Sequence, residues 1–271
     1  MNGSAGFLLA TAAAVAMVGC VSTPDKDVSP SWKGRSVVFL GDSITDKCHV
    51  GCETNYWGFL ADRMGFTAHV YGINGNQLSH IPRQLAKAQA ELGEDVDAIF
   101  VFAGTNDFNG GVPRGEWFVE SEETVNKGGK PTRLRKRESS FDEGTVRGRL
   151  NRALAEVKRA YPRAQVILMT ALHRGYATFG PTNVQPDERY ANGRGYFIDD
   201  LNEDVRRAGE LWSVPVIDLY AESGLLPREE AYGFYFAKPG TTDMLHPSTA
   251  GHDRIARVIE ARLRAMPATF R

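Results

Sequence analysis

The sequence predicts an α/β protein in which one parallel sheet carries helices on both of its faces. Five short runs are rich in apolar and β-branched residues, as buried strands are. The stretches between them repeat apolar residues every three or four positions, which is typical of amphipathic helices. Such an alternation predicts a parallel sheet covered on both sides, and 271 residues suffice for one core of this kind.

The alternation resolves into five strands and five helices. The predicted strands are residues 36–40, 68–71, 98–102, 165–170 and 214–219. The predicted helices are residues 56–64, 81–92, 146–157, 201–211 and 249–266. Gly65 follows the first helix and Pro162 lies just past the third, at positions where helices commonly stop.

Residues 108–142 have no clear period and are interpreted as a loop insertion that rims the sheet edge. Trp117 or Phe118 is expected to form part of a binding-site wall there. The basic part of the insertion is interpreted as a solvated face, because acidic residues lie close to it. Residues 173–197 and 220–242 are also predicted to be loops. The second of these loops holds the aromatic residues Tyr232, Phe234, Tyr235 and Phe236.

The composition and the N-terminus limit the partners and the location of the protein. The net charge of -1 argues against nucleic acid as a partner. Residues 7–18 are apolar apart from Thr11, and small residues and Cys20 follow them. Such a run is typical of a secretory signal, so residues 1–19 are expected to be removed. Residues 20–34 have the composition of a flexible tether.

The turn after the first predicted strand contains a candidate nucleophile, Ser43. Open α/β sheets bind ligands at the carboxyl ends of their strands, which is where this turn lies. A serine nucleophile needs a base, and that base needs a partner that orients it. Among the six histidines, His246 has a carboxylate, that of Asp243, three residues before it in the last predicted loop. His252 is the nearest competitor, but it falls inside the last predicted helix.

Two further strand ends carry groups suited to stabilising an oxyanion. Gly75 follows the second strand, and a glycine lets a backbone N–H approach a substrate closely. Asn106 follows the third strand and offers a side-chain amide as another donor. Each feature alone is weak, because glycine and asparagine fill many turns. Together with Ser43 and His246, they place the groups that acyl transfer needs at one edge of the sheet.

Four short motifs contain these residues. They are Gly41-Asp42-Ser43-Ile44, Ile73-Asn74-Gly75-Asn76, Gly104-Thr105-Asn106-Asp107 and Asp243-Met244-Leu245-His246. With these motifs in this order, residues 36–265 resemble an SGNH hydrolase of the GDSL esterase group. The resemblance implies a three-layer, flavodoxin-like α/β/α fold and ester hydrolysis without a metal or cofactor. It also implies roles for the residues at the strand ends. These are Ser43 as nucleophile, Asp243 and His246 as its partners, and the N–H groups of Ser43 and Gly75 with the Asn106 amide as oxyanion hole.

The end of the apolar N-terminal run, Met17-Val18-Gly19-Cys20, resembles the bacterial lipobox. The resemblance implies that Cys20 becomes the lipid-modified first residue. The protein would then be exported and held at the bacterial cell envelope, in contact with the membrane through the lipid anchor alone. The alternative is a plain secretory signal with an incidental cysteine.

Cys48 and Cys52 follow Ser43 closely, and an exported protein can keep such a pair as a disulfide. A metal site would need a second Cys or His pair at suitable spacing, which the sequence lacks. A disulfide or two free thiols is therefore expected rather than a metal site.

These features predict that residues 35–271 form an exported carboxylic ester hydrolase for short-chain or acetyl esters on carbohydrates. The aromatic residues within 232–236 are suited to stacking on sugar rings. A lipase or acylhydrolase is a close alternative, and so is an acyltransferase, which would resolve the same acyl-enzyme with another acceptor. A non-catalytic carbohydrate-binding lipoprotein is a different class, and a pure binder has no need of all five site residues. A nucleotide binder would need a glycine-rich loop that opens a helix, and none is present in that form.

We predict that the mature chain begins at a lipid-modified Cys20, because a small-residue cleavage motif ends the apolar run. Intact-mass and peptide mass spectrometry of protein from the native envelope will measure the N-terminus. An unmodified Cys20, or cleavage at another bond, would contradict the prediction.

Overall fold

A five-stranded parallel sheet forms the centre of the structure, a computed structural model that describes residues 1, 31–238 and 243–266. The strands are β1 (Ser36–Gly41), β2 (Thr67–Val70), β3 (Ala98–Phe102), β4 (Phe118–Lys127), β5 (Lys130–Ser139), β6 (Gln165–Met169), β7 (Ala177–Gly180), β8 (Asn183–Gln185), β9 (Val216–Ile217), β10 (Phe236–Lys238) and β11 (Asp243–Pro247). The helices are α1 (Tyr56–Met64), α2 (Ile81–Leu92), α3 (Thr105–Asn109), α4 (Val146–Ala160), α5 (Ile198–Trp212), α6 (Leu219–Glu222) and α7 (Thr249–Ala265). Short 3₁₀ helices cover Leu78–His80 and Glu230–Tyr235.

The central sheet has the strand order β2-β1-β3-β6-β9, and every described pairing in it is parallel. Its two faces carry separate apolar cores, because successive side chains on a strand point to opposite sides. Val38 and Leu40 of β1 belong to one core, with α2, α4 and α5. Val37 and Phe39 belong to the other, with α1 and α7. The predicted α/β fold, with helices on both faces of a five-stranded sheet, is therefore confirmed.

A second, smaller sheet with the order β10-β11-β7-β8 covers the carboxyl edge of the first. Three predictions were wrong here: residues 243–247 form strand β11 rather than a loop, and the predicted loops 173–197 and 220–242 contain strands, helix α6 and a 3₁₀ helix. The strands of this sheet are only three to five residues long. Strands this short form because a partner strand pairs with them, so their own sequence shows little periodicity.

The predicted loop insertion at 108–142 contains a regular antiparallel hairpin of β4 and β5. The prediction of an irregular loop was wrong for these residues. Both faces of the hairpin are exposed, so its sequence lacks the alternation of apolar and polar residues that indicates a strand. The acidic strand lies beside the basic one, and Lys136 Nζ lies 2.8 Å from Glu123 Oε2.

The predicted wall residues Trp117 and Phe118 contact α4 and the hairpin itself. The Trp117 ring packs against α4, where the Arg147 guanidinium lies 5.6 Å from its centroid. The Trp117 carbonyl accepts a hydrogen bond of 3.0 Å from Asn151 Nδ2. The Phe118 ring lies under Arg137, at 4.3 Å. These contacts hold both rings at the base of the hairpin.

In the part of the chain that the structure describes, no helix is both long and apolar enough to cross a membrane. The predicted signal, Cys20 and most of the predicted tether lie outside the described residues.

We predict that the hairpin can be removed without unfolding the protein. Phe118 and Ser139 pair directly, so a Gly-Gly turn in place of residues 119–138 can rejoin them. Because the removed side chains are almost all exposed, Tm should fall by less than about 4 °C, the shift that ~1 kcal/mol produces at this size. Thermal unfolding followed by circular dichroism will measure it. Trp117→Ala, which removes a ring packed on α4, is the contrasting variant and should lower Tm more; an equal loss would contradict this account.

Candidate functional site

The turn that carries Ser43 is held by close backbone packing at the end of β1. The carbonyl of Asp42 accepts hydrogen bonds from the N–H groups of Thr45 (3.0 Å) and Asp46 (2.9 Å). A Cβ at position 41 would lie 2.4 Å from the carbonyl oxygen of Phe102, so only glycine fits between β1 and β3 here. Ser43 itself is only 6% exposed, so it is more buried than its position at a solvent-facing edge of the sheet leads one to expect.

Gln84 of α2 fixes the same turn from the other side. Its side-chain oxygen accepts from the Gly41 N–H at 2.8 Å, and its Nε2 donates to the Gly41 carbonyl at 2.7 Å. Nε2 also lies 3.3 Å from Asn76 Oδ1, in the loop after β2. Sequence reasoning missed Gln84, although a polar residue on the apolar face of a helix, beside Ile81 and Leu85, was a usable signal.

Ser43, His246 and Asp243 form a continuous chain of hydrogen bonds. His246 Nε2 lies 2.8 Å from Ser43 Oγ, and His246 Nδ1 lies 2.9 Å from Asp243 Oδ2. The Asp243 carboxylate also accepts from the backbone N–H groups of His246 and Leu245. Burial alone raises the pKa of Asp243, but the His246 side chain and the two backbone donors outweigh it and hold the pKa below its ordinary value. Asp243 is therefore ionised at neutral pH and can orient the imidazole.

Two backbone N–H groups beside this chain lack an acceptor within the described residues. They belong to Ser43 and to Gly75. Gly75 has a φ of 76°, a left-handed conformation that favours glycine, and a Cβ there would meet open space. Asn106 Nδ2 donates one of its hydrogens to the Asn76 carbonyl at 2.9 Å, which leaves the second hydrogen free. The structure thus places all three predicted donor residues at the carboxyl edge of the sheet.

Asp107 connects the end of β3, where Asn106 lies, to the loop after β2. Its fully buried carboxylate accepts from the Leu78 N–H at 2.9 Å and pairs with Arg149 of α4 at 2.8 Å. Leu78 follows Gly75 by three residues, so this carboxylate fixes the spacing between the Gly75 and Asn106 donors.

His252 has a structural position. Its Nδ1 accepts from the Tyr56 N–H at 3.2 Å, and its ring stacks on that of Tyr56. Burial is the main cause that lowers the pKa of His252 to about 3, so it stays neutral. Its position inside α7 agrees with the sequence prediction.

Phe179 of β7 was missed by sequence reasoning because it lies in a stretch without periodicity. Its ring meets the imidazole of His246 edge to face, with centroids 5.3 Å apart, and it is 42% exposed. An exposed ring in contact with His246 is suited to bind the part of a substrate that lies beside the imidazole.

Ser43, His246 and Asp243 are thus joined by hydrogen bonds, and the donor groups of Ser43, Gly75 and Asn106 lie at the same edge of the sheet. The model of the GDSL-like lipase/acylhydrolase family matches residues 39–254. The chain belongs to this family. No curated protein sequence matches the chain.

Solved structures share the GDSL-type fold at low sequence identity. A protein from Lactobacillus plantarum is 24% identical with a TM-score of 0.68, and the match covers 87% of this chain and 99% of that one. A possible lipase from Chitinophaga pinensis is 20% identical with a TM-score of 0.64, covering 85% of this chain and 98% of that one. At this identity the likeness shows the fold alone.

The possible disulfide between Cys48 and Cys52 is not formed in the structure, where both are free thiols. Cys52 Sγ instead donates to Asn55 Oδ1 at 3.0 Å, and burial raises the pKa of Cys52 to about 11. Gly51 packs against Ala237 so closely that its Cβ would lie 2.2 Å from that methyl group, which places this loop beside β10. In residues 31–238 and 243–266, no group of His, Cys, Asp and Glu side chains is arranged to hold a metal ion.

Asp42 precedes the GDSL serine and is almost completely buried. Burial raises the pKa of its carboxyl group to about 7, although it accepts the Ile44 N–H at 3.1 Å and lies near His246. The folded protein therefore binds a proton here that the unfolded chain, with an ordinary aspartate, releases near pH 4.

We predict that Asp42→Asn removes a pH-dependent loss of stability. The pKa of Asp42 is higher in the folded state than in the unfolded state. The stabilisation that protonated Asp42 gives the wild-type fold is therefore fully present below about pH 4 and is lost as the pH rises through about 7. Asparagine keeps the oxygen that accepts the Ile44 N–H and carries no charge. Urea unfolding at about pH 4, 6 and 8 should show Asp42→Asn gaining stability over the wild type as pH rises. The exposed Asp62→Asn is the matched control, and a parallel pH dependence in all three proteins would refute the assignment.

Proposed function

We propose that this protein is a serine esterase that hydrolyses short-chain carboxylic esters, most favourably acetyl esters on carbohydrates. The observation that carries the proposal is the unbroken hydrogen-bond chain from Ser43 through His246 to Asp243 beside two unpaired N–H groups. Membership of a lipase and acylhydrolase family supports the reaction class.

In the first half of the reaction, Ser43 Oγ attacks the ester carbonyl while His246 Nε2 takes the hydroxyl proton. The 2.8 Å separation of these atoms is suitable for direct proton transfer. Asp243 holds the Nδ1–H and stabilises the imidazolium that forms, so the base keeps its tautomer and orientation.

The tetrahedral intermediate places negative charge on the former carbonyl oxygen. The N–H groups of Ser43 and Gly75 and the free hydrogen of the Asn106 amide stabilise this charge. When the intermediate collapses, His246 gives its proton to the leaving alcohol and an acyl-Ser43 ester remains. Water then attacks that ester, with His246 again taking and returning a proton, and the acid is released.

The alcohol part of the substrate must lie beside His246, because its oxygen receives the proton from Nε2. Phe179 forms a wall on that side, and an aromatic face suits the apolar C–H face of a sugar ring.

The apolar N-terminus and its lipobox-like end support export of the enzyme and its attachment to the cell envelope through Cys20. Esters on extracellular or envelope carbohydrates would be accessible to an enzyme at that place.

We predict that Ser43→Ala lowers kcat on 4-nitrophenyl acetate by at least about 10⁴-fold, because no nucleophile remains. Asn106→Ala should lower kcat about 10²- to 10³-fold, the usual loss for one oxyanion donor. Steady-state kinetics with circular dichroism to verify folding will measure both. Retained turnover in Ser43→Ala overturns the mechanism, whereas a preference for long acyl chains overturns only the choice of substrate.

The two C-terminal histidines provide a paired comparison. His246→Ala removes the base and should lower kcat by about 10⁴-fold or more. His252→Ala leaves the Tyr56 N–H without its acceptor, so it should cost about 1–3 kcal/mol of unfolding free energy and change kcat less than about tenfold. Denaturant unfolding and kinetics on the same preparations separate the two effects. Comparable losses of kcat would count against His246 as the base.

A further inference from the structure

A large open cavity lies behind the strand that carries Asp243 and His246. Its volume is about 750 Å³, within the range of about 300–1,000 Å³ that small-molecule sites occupy. Three segments and β11 surround it, and they contribute Tyr176, Asp187, Arg189, Arg228, Phe234 and Met244 to its lining.

This cavity is distinct from the Ser43 site. Asp243 pairs directly with Ala177 of β7, and its carboxylate contacts His246. Met244 follows Asp243 on β11 and Tyr176 immediately precedes β7; both line the cavity, whose lining includes none of Ser43, Asp243 and His246. The Met244 N–H donates to the Tyr176 carbonyl at 3.1 Å, which joins the two strands beneath the cavity.

Two aromatic rings are exposed in the cavity lining. Tyr176 is 47% exposed and Phe234 is 59% exposed, high values for residues of this size. Phe234 packs on Tyr235 at a centroid distance of 3.9 Å, and the Tyr235 hydroxyl accepts a 3.0 Å hydrogen bond from Arg254. The Phe234 ring is thus held in place before any ligand binds, which lowers the entropic cost of binding.

The polar groups of the lining are balanced in charge and partly fixed. Arg189 forms two hydrogen bonds to the Asp187 carboxylate, at 2.9 and 2.6 Å, so this pair presents a rigid polar plane. The Arg228 guanidinium is 41% exposed and lies 3.7 Å from Glu188, beyond hydrogen-bond distance. Glu230 adds an exposed carboxylate. Two arginines and two carboxylates therefore line the cavity, which favours a neutral ligand with many hydroxyl groups over an ion of either sign.

We infer that this cavity binds a neutral saccharide chain, with sugar rings stacked on Tyr176 and Phe234 and hydroxyl groups hydrogen-bonded to Arg228 and the Arg189–Asp187 pair. Fixed aromatic faces bind the C–H faces of sugar rings, while planar donors and acceptors bind their hydroxyl groups. The choice of a saccharide rests in part on the proposed function. The cavity would hold an unmodified part of the glycan while an acetylated unit reaches Ser43.

Binding can be measured without turnover in the full-length chain with Ser43→Ala. Isothermal titration calorimetry with xylohexaose, cellohexaose and chitohexaose tests neutral chains, and hexagalacturonate tests an anionic one. We expect at least one neutral hexamer to bind. Tyr176→Ala and Phe234→Ala should each weaken that binding by about tenfold or more. Phe141→Ala removes an exposed ring outside this cavity and should leave the affinity unchanged.

The same three substitutions in the active chain should leave kcat/KM on 4-nitrophenyl acetate unchanged, because that ester is too small to reach the cavity. The inference is overturned if no neutral hexamer binds at millimolar concentration, if both ring substitutions leave the affinity intact, or if hexagalacturonate binds more tightly. A further outcome is that the wild-type chain has no esterase activity but still binds a neutral saccharide. If Tyr176→Ala weakens that binding, the inference about the cavity is supported and only the proposed function is overturned.

Discussion

The end of β1 depends on one side chain, the carboxamide of Gln84, which donates to and accepts from the Gly41 peptide groups. Ser43 follows Gly41 by two residues, so its position is set by a buried polar contact between α2 and the central sheet. The same amide nitrogen reaches Asn76 in the loop that carries Gly75. A buried carboxamide whose donor and acceptor are both satisfied costs little and specifies one geometry. The turn that carries Ser43 and the loop that carries Gly75 therefore both contact the Gln84 side chain.

At this edge of the sheet, the surroundings shift the pKa values of two aspartate carboxyl groups in opposite directions. Asp243 is paired with His246 and two backbone donors, so its charged form is stabilised. Asp42 is buried with one backbone donor, and its neutral form is favoured up to about pH 7. The Asp243 carboxyl group is therefore charged at neutral pH, whereas the Asp42 carboxyl group beside Ser43 does not carry a full negative charge at neutral or lower pH.

The small sheet gives strand β11 two different surroundings. Asp243 and His246 form the hydrogen-bond chain to Ser43, whereas Met244 of the same strand lines the large aromatic-lined cavity. Residues of one short strand thus contribute both to the Ser43 site and to the cavity. Phe179, on the partner strand, adds an exposed ring beside His246.

The sequence by itself determined the five-stranded parallel sheet, because short continuous apolar runs such as 98–102 alternate with amphipathic helices along the chain. It also located Ser43, Gly75 and Asn106, since the carboxyl ends of parallel strands meet at one edge. Only the tertiary structure decided that residues 243–247 form a strand, that 118–139 form a hairpin, and that Gln84 and Phe179 belong to the site. These features depend on contacts between residues far apart in the chain, and such contacts leave no local period in the sequence.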